Sequence, residues 1–365
     1  MNDKLIQGTI LLVLFLLCAC SNVSNPMDDP KVLNDLSEIK RIQVQGQEIL
    51  KKEYNVISPL VVDTFLILEL LEKKEWAYKV YQSNSLKFLG NLGKMGPGPT
   101  ELQIPRLSDQ TVLNRNGSHI WVNELGQGES KLIDIGQSLK SKKNEIVNSV
   151  KYDNASILTE SIFNLNSRDW IANLGPSAEK FGRFLSYSSK KDTNTLTAFN
   201  HQISNGKMLN RQDVYSLNFH YVALKPDESR VVSIMNHLSR VDIYRITTDQ
   251  TLQIEATGLI KNEKYDKLDG EIFKNDYSKI TNYYMDVSVT NDKIYALYHG
   301  QPSNEYAKKL ISSQIRVFDW DGNLLEVINI PEYLISFSVD DINENIFGVA
   351  YFEEKIMRYS LDFNQ

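Results

Sequence analysis

The residues whose order most directly specifies chemistry lie near the start of the chain. Leu17-Cys18-Ala19-Cys20 ends an apolar run, Ile10–Leu17, which one basic residue, Lys4, precedes. This is the pattern of a lipobox: small residues stand before a cysteine that takes a diacylglyceryl thioether and becomes the new, acylated N-terminus. The run is too short to span a bilayer, which needs about 20 apolar residues, and suits a cleaved signal. Residues 1–19 therefore read as a lipoprotein signal peptide. Cys20 would carry three acyl chains, where about two suffice for stable anchoring. Residues 20–36 include Ser21–Pro26 and Asp28-Asp29-Pro30, are polar and turn-forming, and read as a flexible tether to a folded domain over residues 37–365. The expected partner at this end is a lipid bilayer, held through acylated Cys20. The expected location is the cell envelope, at the outer membrane.

No other stretch specifies a reaction. His119, His201, His220, His237 and His299 are scattered, and none stands in a His-Glu-x-x-His pattern. Loss of Cys18 with the signal leaves the folded part without cysteine, so a structural zinc site has no thiolates to use. Asp319-Trp-Asp-Gly-Asn323 starts like a calcium loop, but Ile330 stands where the twelfth-position acid belongs, and a hairpin turn is the simpler reading. There is no Gly-x-Ser-x-Gly elbow and no phosphate-binding glycine motif. No catalytic residue, metal or cofactor is assigned. The net charge of −6 excludes nucleic acid as a natural partner.

Binding candidates are aromatic. Phe219-His220-Tyr221 and Tyr283-Tyr284 combine ring faces with polar tips, which can stack on a sugar ring or grip a peptide. Core filling is the alternative use of such residues in strands. The segment Leu259–Asn282 mixes both charges and reads as a solvated loop or a lid.

The elements that position these residues are strands. With 18 Tyr, 14 Phe and 4 Trp among many Val, Ile and Thr, the composition favours sheet. One unit recurs: a turn rich in Asn, Asp, Ser or Gly, then a short apolar strand. Ile120, Trp170, Val231, Ile294 and Ile346 mark equivalent points 50 to 63 residues apart, and Leu60–Leu71 supplies a sixth. Multi-stranded repeats of this length indicate a propeller. The prediction is an all-β fold: a six-bladed β-propeller with four-stranded antiparallel blades. Asp321-Gly322-Asn323 between two alternating runs is the strongest hairpin signal. The last unit has only three strands before the chain stops. Glu38–Ile49, in which Ile42 and Val44 alternate with polar residues, is expected to supply the missing outer strand and close the ring.

Gly90–Pro105 follows the first hairpin. Its glycines and prolines exclude a regular strand or helix and suit a tight crossover between blades. Gly93, Gly96, Pro97, Gly98 and Glu101 resemble the glycine-proline connector of the TolB-like six-bladed propeller lipoproteins common in anaerobic Gram-negative gut bacteria. The resemblance covers about residues 38–362. It implies a propeller lipoprotein that interacts with other envelope proteins and names no substrate. The resulting expectation is a monomeric, membrane-anchored binding or scaffold module for a protein or glycan. The alternative is a propeller lyase or hydrolase acting on glycans or peptides.

Overall fold

Short alternating runs cut by Asn-, Asp- and Gly-rich turns satisfy their backbone groups most cheaply as antiparallel hairpins. A computed structural model shows how these hairpins assemble. It describes residues 31–33, 36–114, 117–124, 127–152, 159–165, 169–174, 183–197, 203–204, 207–208, 215–216, 218–248, 252–260, 280–302, 304, 312–351 and 354–361. Residues 1–30, with Cys20 among them, His201 and most of the charged 259–282 loop lie outside the described residues.

Three short strands come first: β1 (Lys31–Leu33), β2 (Lys40–Gln43) and β3 (Gly46–Ile49). Blade one follows with β4 (Val56–Val62), β5 (Phe65–Leu70), β6 (Trp76–Gln82) and β7 (Phe88–Lys94). Blade two holds β8 (Pro105–Asn114), β9 (Gly117–Glu124), β10 (Glu129–Asp134) and β11 (Ile146–Lys151), with helix α1 (Ile135–Ser141) before its last strand. Blade three holds β12 (Thr159–Leu165), β13 (Asp169–Leu174), β14 (Phe184–Ser188) and β15 (Thr193–Thr197). A small ribbon, β16 (Ile203–Ser204) and β17 (Lys207–Met208), precedes blade four: β18 (His220–Leu224), β19 (Arg230–Met235), β20 (Arg240–Ile246) and β21 (Leu252–Ile260). Blade five is β22 (Thr281–Val289), β23 (Lys293–Pro302), β24 (Ser313–Asp319) and β25 (Leu324–Ile330). Blade six is β26 (Leu334–Asp340), β27 (Asn345–Ala350) and β28 (Lys355–Ser360). Consecutive strands within every blade pair antiparallel.

The first strand of each blade lies innermost. β8 touches β12 and β18, β18 touches β22, β22 touches β26, and β26 touches β4. The core is divided accordingly into six apolar clusters, one in each wedge between neighbouring blades. Because neighbouring strands are antiparallel, all innermost strands begin on one face, here called the upper face, where second strands also end.

The early segment does close the ring, but it is used in two pieces. β3 is the fourth, antiparallel strand of blade six, with Gly46 opposite Tyr359 and Ile49 opposite Ile356. β2, which carries Ile42, instead runs parallel to β25 as a fifth strand on blade five. Ile42 and Val44 then fill the wedge between blades five and six. One strand cannot use all of Glu38–Ile49, because β28 offers only six residues. Gly46 marks the start of the second piece: a Cβ there would sit 2.6 Å from a Tyr359 ring carbon. Lys31–Leu33, within the stretch read as tether, pairs in parallel with β21 on blade four.

Other differences are local. Leu60–Leu71, the sixth repeat point, spans parts of β4 and β5 and turns at Asp63, whose φ is 54°. Helix α1 was not foreseen. Asp134 caps it, its Oδ1 accepting from Gln137 N at 2.8 Å, and Lys142 ends it at φ 54°.

Candidate functional site on the upper face of blades four and five

The two aromatic motifs begin adjacent innermost strands, β18 and β22, and Asn236 joins them. Asn236 N donates to Phe219 O at 2.9 Å, and Asn236 O accepts from Tyr283 N at 2.6 Å. Its Nδ2 donates to Tyr284 O at 2.8 Å. The first of these bonds recurs as Leu71 N to Asn55 O and Tyr351 N to Tyr333 O. It is thus a property of the repeat, tying the end of a second strand to the start of a first.

Tyr221, Tyr283 and Tyr284 pack on the wedge between blades four and five, while His220 enters the wedge between blades three and four. Phe219, Tyr221 and Tyr283 are half-buried. Phe219 meets Tyr221 edge-on at 5.3 Å and Tyr215 at 5.8 Å. Tyr283 lies 6.2 Å from the half-buried Tyr298. Tyr284 is fully buried and meets Tyr298 edge-on at 5.4 Å. Arg316 lies beneath, buried, its guanidinium carbon 3.1 Å from the centre of the Tyr298 ring. Arg316 Nη1 donates to Ser239 Oγ at 3.3 Å and to Tyr284 Oη at 3.4 Å. The structure therefore leaves three of the five aromatic candidates half-buried at the edge of this wedge, beside the Arg316–Tyr298 cation–π pair.

His220 goes to the core instead. It packs edge-on against Phe184 at 5.6 Å, and its Nδ1 lies 2.6 Å from Asn218 O, a geometry that keeps the ring proton on Nδ1. Burial, then the nearby Arg183 guanidinium, pushes its pKa down to about 3. Beside it Arg183 and Arg240 share one carboxylate: Arg183 Nη1 is 2.6 Å and Arg240 Nε 2.8 Å from Asp242. All three are buried in the wedge between blades three and four. This network positions the site and does not present chemistry to solvent.

The innermost strands also surround a narrow channel of about 60 Å³. Its wall is knitted by side chains reaching to the next blade's backbone. Asp286 Oδ2 accepts from Phe337 N at 2.9 Å and Ser336 Oγ at 2.8 Å, and Ser288 Oγ accepts from Val339 N at 3.2 Å. Gln110 and Asn164 exchange two bonds, Gln110 Nε2 to Asn164 O at 2.6 Å and Asn164 N to Gln110 Oε1 at 2.7 Å. That exchange uses a bulge over Ser108–Gln110, which turns Asp109 into the channel. The Asp109 carboxylate reaches water there yet is hemmed in by protein, and accepts no hydrogen bond from the described residues. Burial, then Asp286 and Glu69, raise its pKa well above the usual carboxylate range. Asp286 is raised less, because its three hydrogen bonds oppose its burial. Asp109 is the residue that sequence reasoning missed, since only the bulge aims it inward. Among the described residues no group of three or more His, Cys, Asp or Glu is placed to hold a metal ion.

The glycine-proline connector folds around Glu101. Gly98 N donates to Glu101 Oε2 at 2.9 Å, and Lys94 Nζ is 3.3 Å from Oε1. These two contacts, in that order, lower the Glu101 pKa. Gly96, at φ 152°, has no room for a Cβ, which would meet Glu101 Oε2 at 2.1 Å. Asn144 pins the loop to blade two through Lys94 N at 2.7 Å and Thr100 O at 2.8 Å. Pro97 is exposed. Gly93 lies inside β7 and not in the crossover: at φ 73° it takes a strand position where the Tyr78 ring leaves no space for a side chain.

With six blades and this connector in place, the comparison with protein families is decisive: residues 39–342 match the model described as TolB-like 6-blade propeller-like. The chain belongs to the TolB-like six-bladed propeller family. Solved structures that share the fold include two proteins from Bacteroides. One is a protein from Bacteroides fragilis described as a "putative exported protein", at 12% identity and TM-score 0.51, covering 88% of this chain and 98% of that one. The other is a member of the DUF4221 family from Bacteroides vulgatus, at 10% identity and TM-score 0.55, covering 88% and 97%. No curated protein matches the chain.

Proposed function

We propose that this TolB-like propeller is a lipid-anchored envelope protein that binds a glycan or peptide on the upper face of blades four and five. The observation carrying this reading is the set of half-buried rings Phe219, Tyr221, Tyr283 and Tyr298 gathered around Asn236 and backed by Arg316. Rigid aromatic faces give contact area at small entropic cost and suit sugar or peptide recognition. The lipobox at Cys20 and the exported relative in Bacteroides fragilis support an envelope location. Confinement to a membrane raises the effective concentration of the domain for neighbouring partners.

The test is an array of glycans and peptides probed with the parent and with Tyr283→Ala. Selective binding that weakens at least about tenfold in the variant, or about 1.4 kcal/mol, supports the reading. Equal binding by both forms rejects this site. For the anchor, Cys20→Ser is expected to move the protein from the membrane to the soluble fraction, and unchanged partitioning would refute it.

One observation favours the enzyme alternative. Asp109 faces a solvated channel with its pKa raised by burial, the direction that suits a general acid. Its neighbour Asp286 is committed to the Phe337 and Ser336 bonds and so does not form a free carboxylate pair with Asp109, which keeps binding as the better reading.

A further inference from the structure

At the outer seam where blade six meets blade one lies an open groove of about 540 Å³, lined by Leu50, Lys51, Lys52, Glu53, Lys79, Tyr81 and Phe88. It is separate from the upper-face patch and of the size that small ligands occupy. Leu50 turns the chain out of β3 at φ 48°, and Glu53 N closes that turn on Leu50 O at 2.7 Å. The turn leaves Lys51 and Lys52 exposed side by side.

The charges in the groove do not cancel. Glu53 is consumed internally: its Oε2 takes Lys79 Nζ at 2.5 Å and its Oε1 takes Tyr81 Oη at 2.6 Å. That pair leaves the two lysines of the turn without a counter-charge in the groove. The opposite wall is aromatic. Phe88 is 49% exposed, which is high for so large a ring, and lies 5.3 Å from Tyr81. A ring face thus stands across from two cations, on a protein whose net charge is −6.

We infer that this groove is a binding site for an acidic saccharide. A sugar ring packs its C–H face on Phe88, and its carboxylate or sulfate meets Lys51 and Lys52. An acidic peptide is the competing occupant, because Phe88 opens β7, the edge strand of blade one, and a glutamate tripeptide tests it. The site needs neither the lipid anchor nor the upper-face patch.

The probe is trigalacturonate, titrated into the folded domain by calorimetry, with a neutral trisaccharide and a glutamate tripeptide alongside. Saturable binding of trigalacturonate is expected, with the neutral sugar at least about tenfold weaker. Lys51→Ala/Lys52→Ala is expected to abolish binding and its salt dependence, and Phe88→Ala to weaken it by about tenfold or more. Both changes are at exposed positions, and circular dichroism verifies the fold. Three results overturn the inference: no saturation up to about 10 mM, which means binding weaker than about −2.7 kcal/mol; undiminished binding by either variant; or glutamate binding as tight as trigalacturonate and indifferent to Phe88. The last would describe a general anion patch.

Discussion

Val61 N donates to Ser338 Oγ at 2.9 Å, joining the innermost strands of the first and last blades. These residues are 277 positions apart, and no disulfide secures the junction. The ring is held shut by this bond, by the wedge of Ile49, Leu66, Leu68, Tyr81, Phe347 and Ile356, and by β3 completing blade six.

Closure therefore depends on β3 much more than on β1 or β2. Removing residues 31–43 strips parallel fifth strands from blades four and five and leaves every blade with four strands. Removing residues 46–49 opens the edge of blade six and uncovers its wedge. The shorter deletion is expected to abolish cooperative unfolding or lower the urea midpoint far more than the longer one. The point change Ile49→Ala removes a buried side chain and is expected to cost about 2–5 kcal/mol. Equal midpoints for the two deletions would show that β3 does not lock the ring.

Much of this architecture was legible in the sequence. The turn at Asp319–Asn323 could be read because its chemistry is local: Asp319 Oδ1 caps Asp321 N and Asn323 N, and Gly322 sits at φ 81°. The missing last strand followed from counting. The division of Glu38–Ile49 between two blades was not legible: Ile42 and Ile49, seven positions apart, stand on opposite phases of the alternation, but neither phase names a partner strand. The aromatic candidates show the same limit. Period two says that His220 and Tyr221 face opposite ways, and not which wedge each enters or how deeply. Asp109 was hidden further, because its direction depends on a bulge set by Gln110 reaching Asn164 on the next blade.

Acid should weaken the fold through its buried histidines. An unfolded histidine titrates near 6.5. In the folded protein burial holds His220 neutral down to about 3, with Arg183 adding to the effect, and holds His299 neutral down to about 4. Below pH 6.5 the unfolded chain binds protons that the folded chain refuses, so stability falls as pH drops from about 6.5 toward 4. Above 6.5 these groups contribute no slope. His220→Gln is expected to flatten the decline measured by urea unfolding between pH 4.5 and 7. A slope identical to the parent's would place the acid sensitivity elsewhere.

Asp109 gives a dependence of opposite sign. Its folded-state proton affinity is raised, first by burial and then by Asp286 and Glu69, while the unfolded carboxylate titrates near about 3.9. Between those values the folded protein keeps a proton that the unfolded chain has released. Stability from this group is thus full in acid, falls as pH rises toward the raised value, and stays lost above it. Asp109→Asn preserves the shape without the charge. It should match the parent near pH 4 and exceed it at pH 8, with the gap in urea midpoint widening steadily between. Substituting Asp286 in the same way should not give this gain, because its Oδ2 accepts from Phe337 N and Ser336 Oγ and its Oδ1 from Val287 N, and an amide, with one accepting oxygen, leaves at least one of these three donors unpaired. If Asp109→Asn tracks the parent at every pH, the channel carboxylate is ionised in the folded protein and the general-acid alternative loses its proton as well.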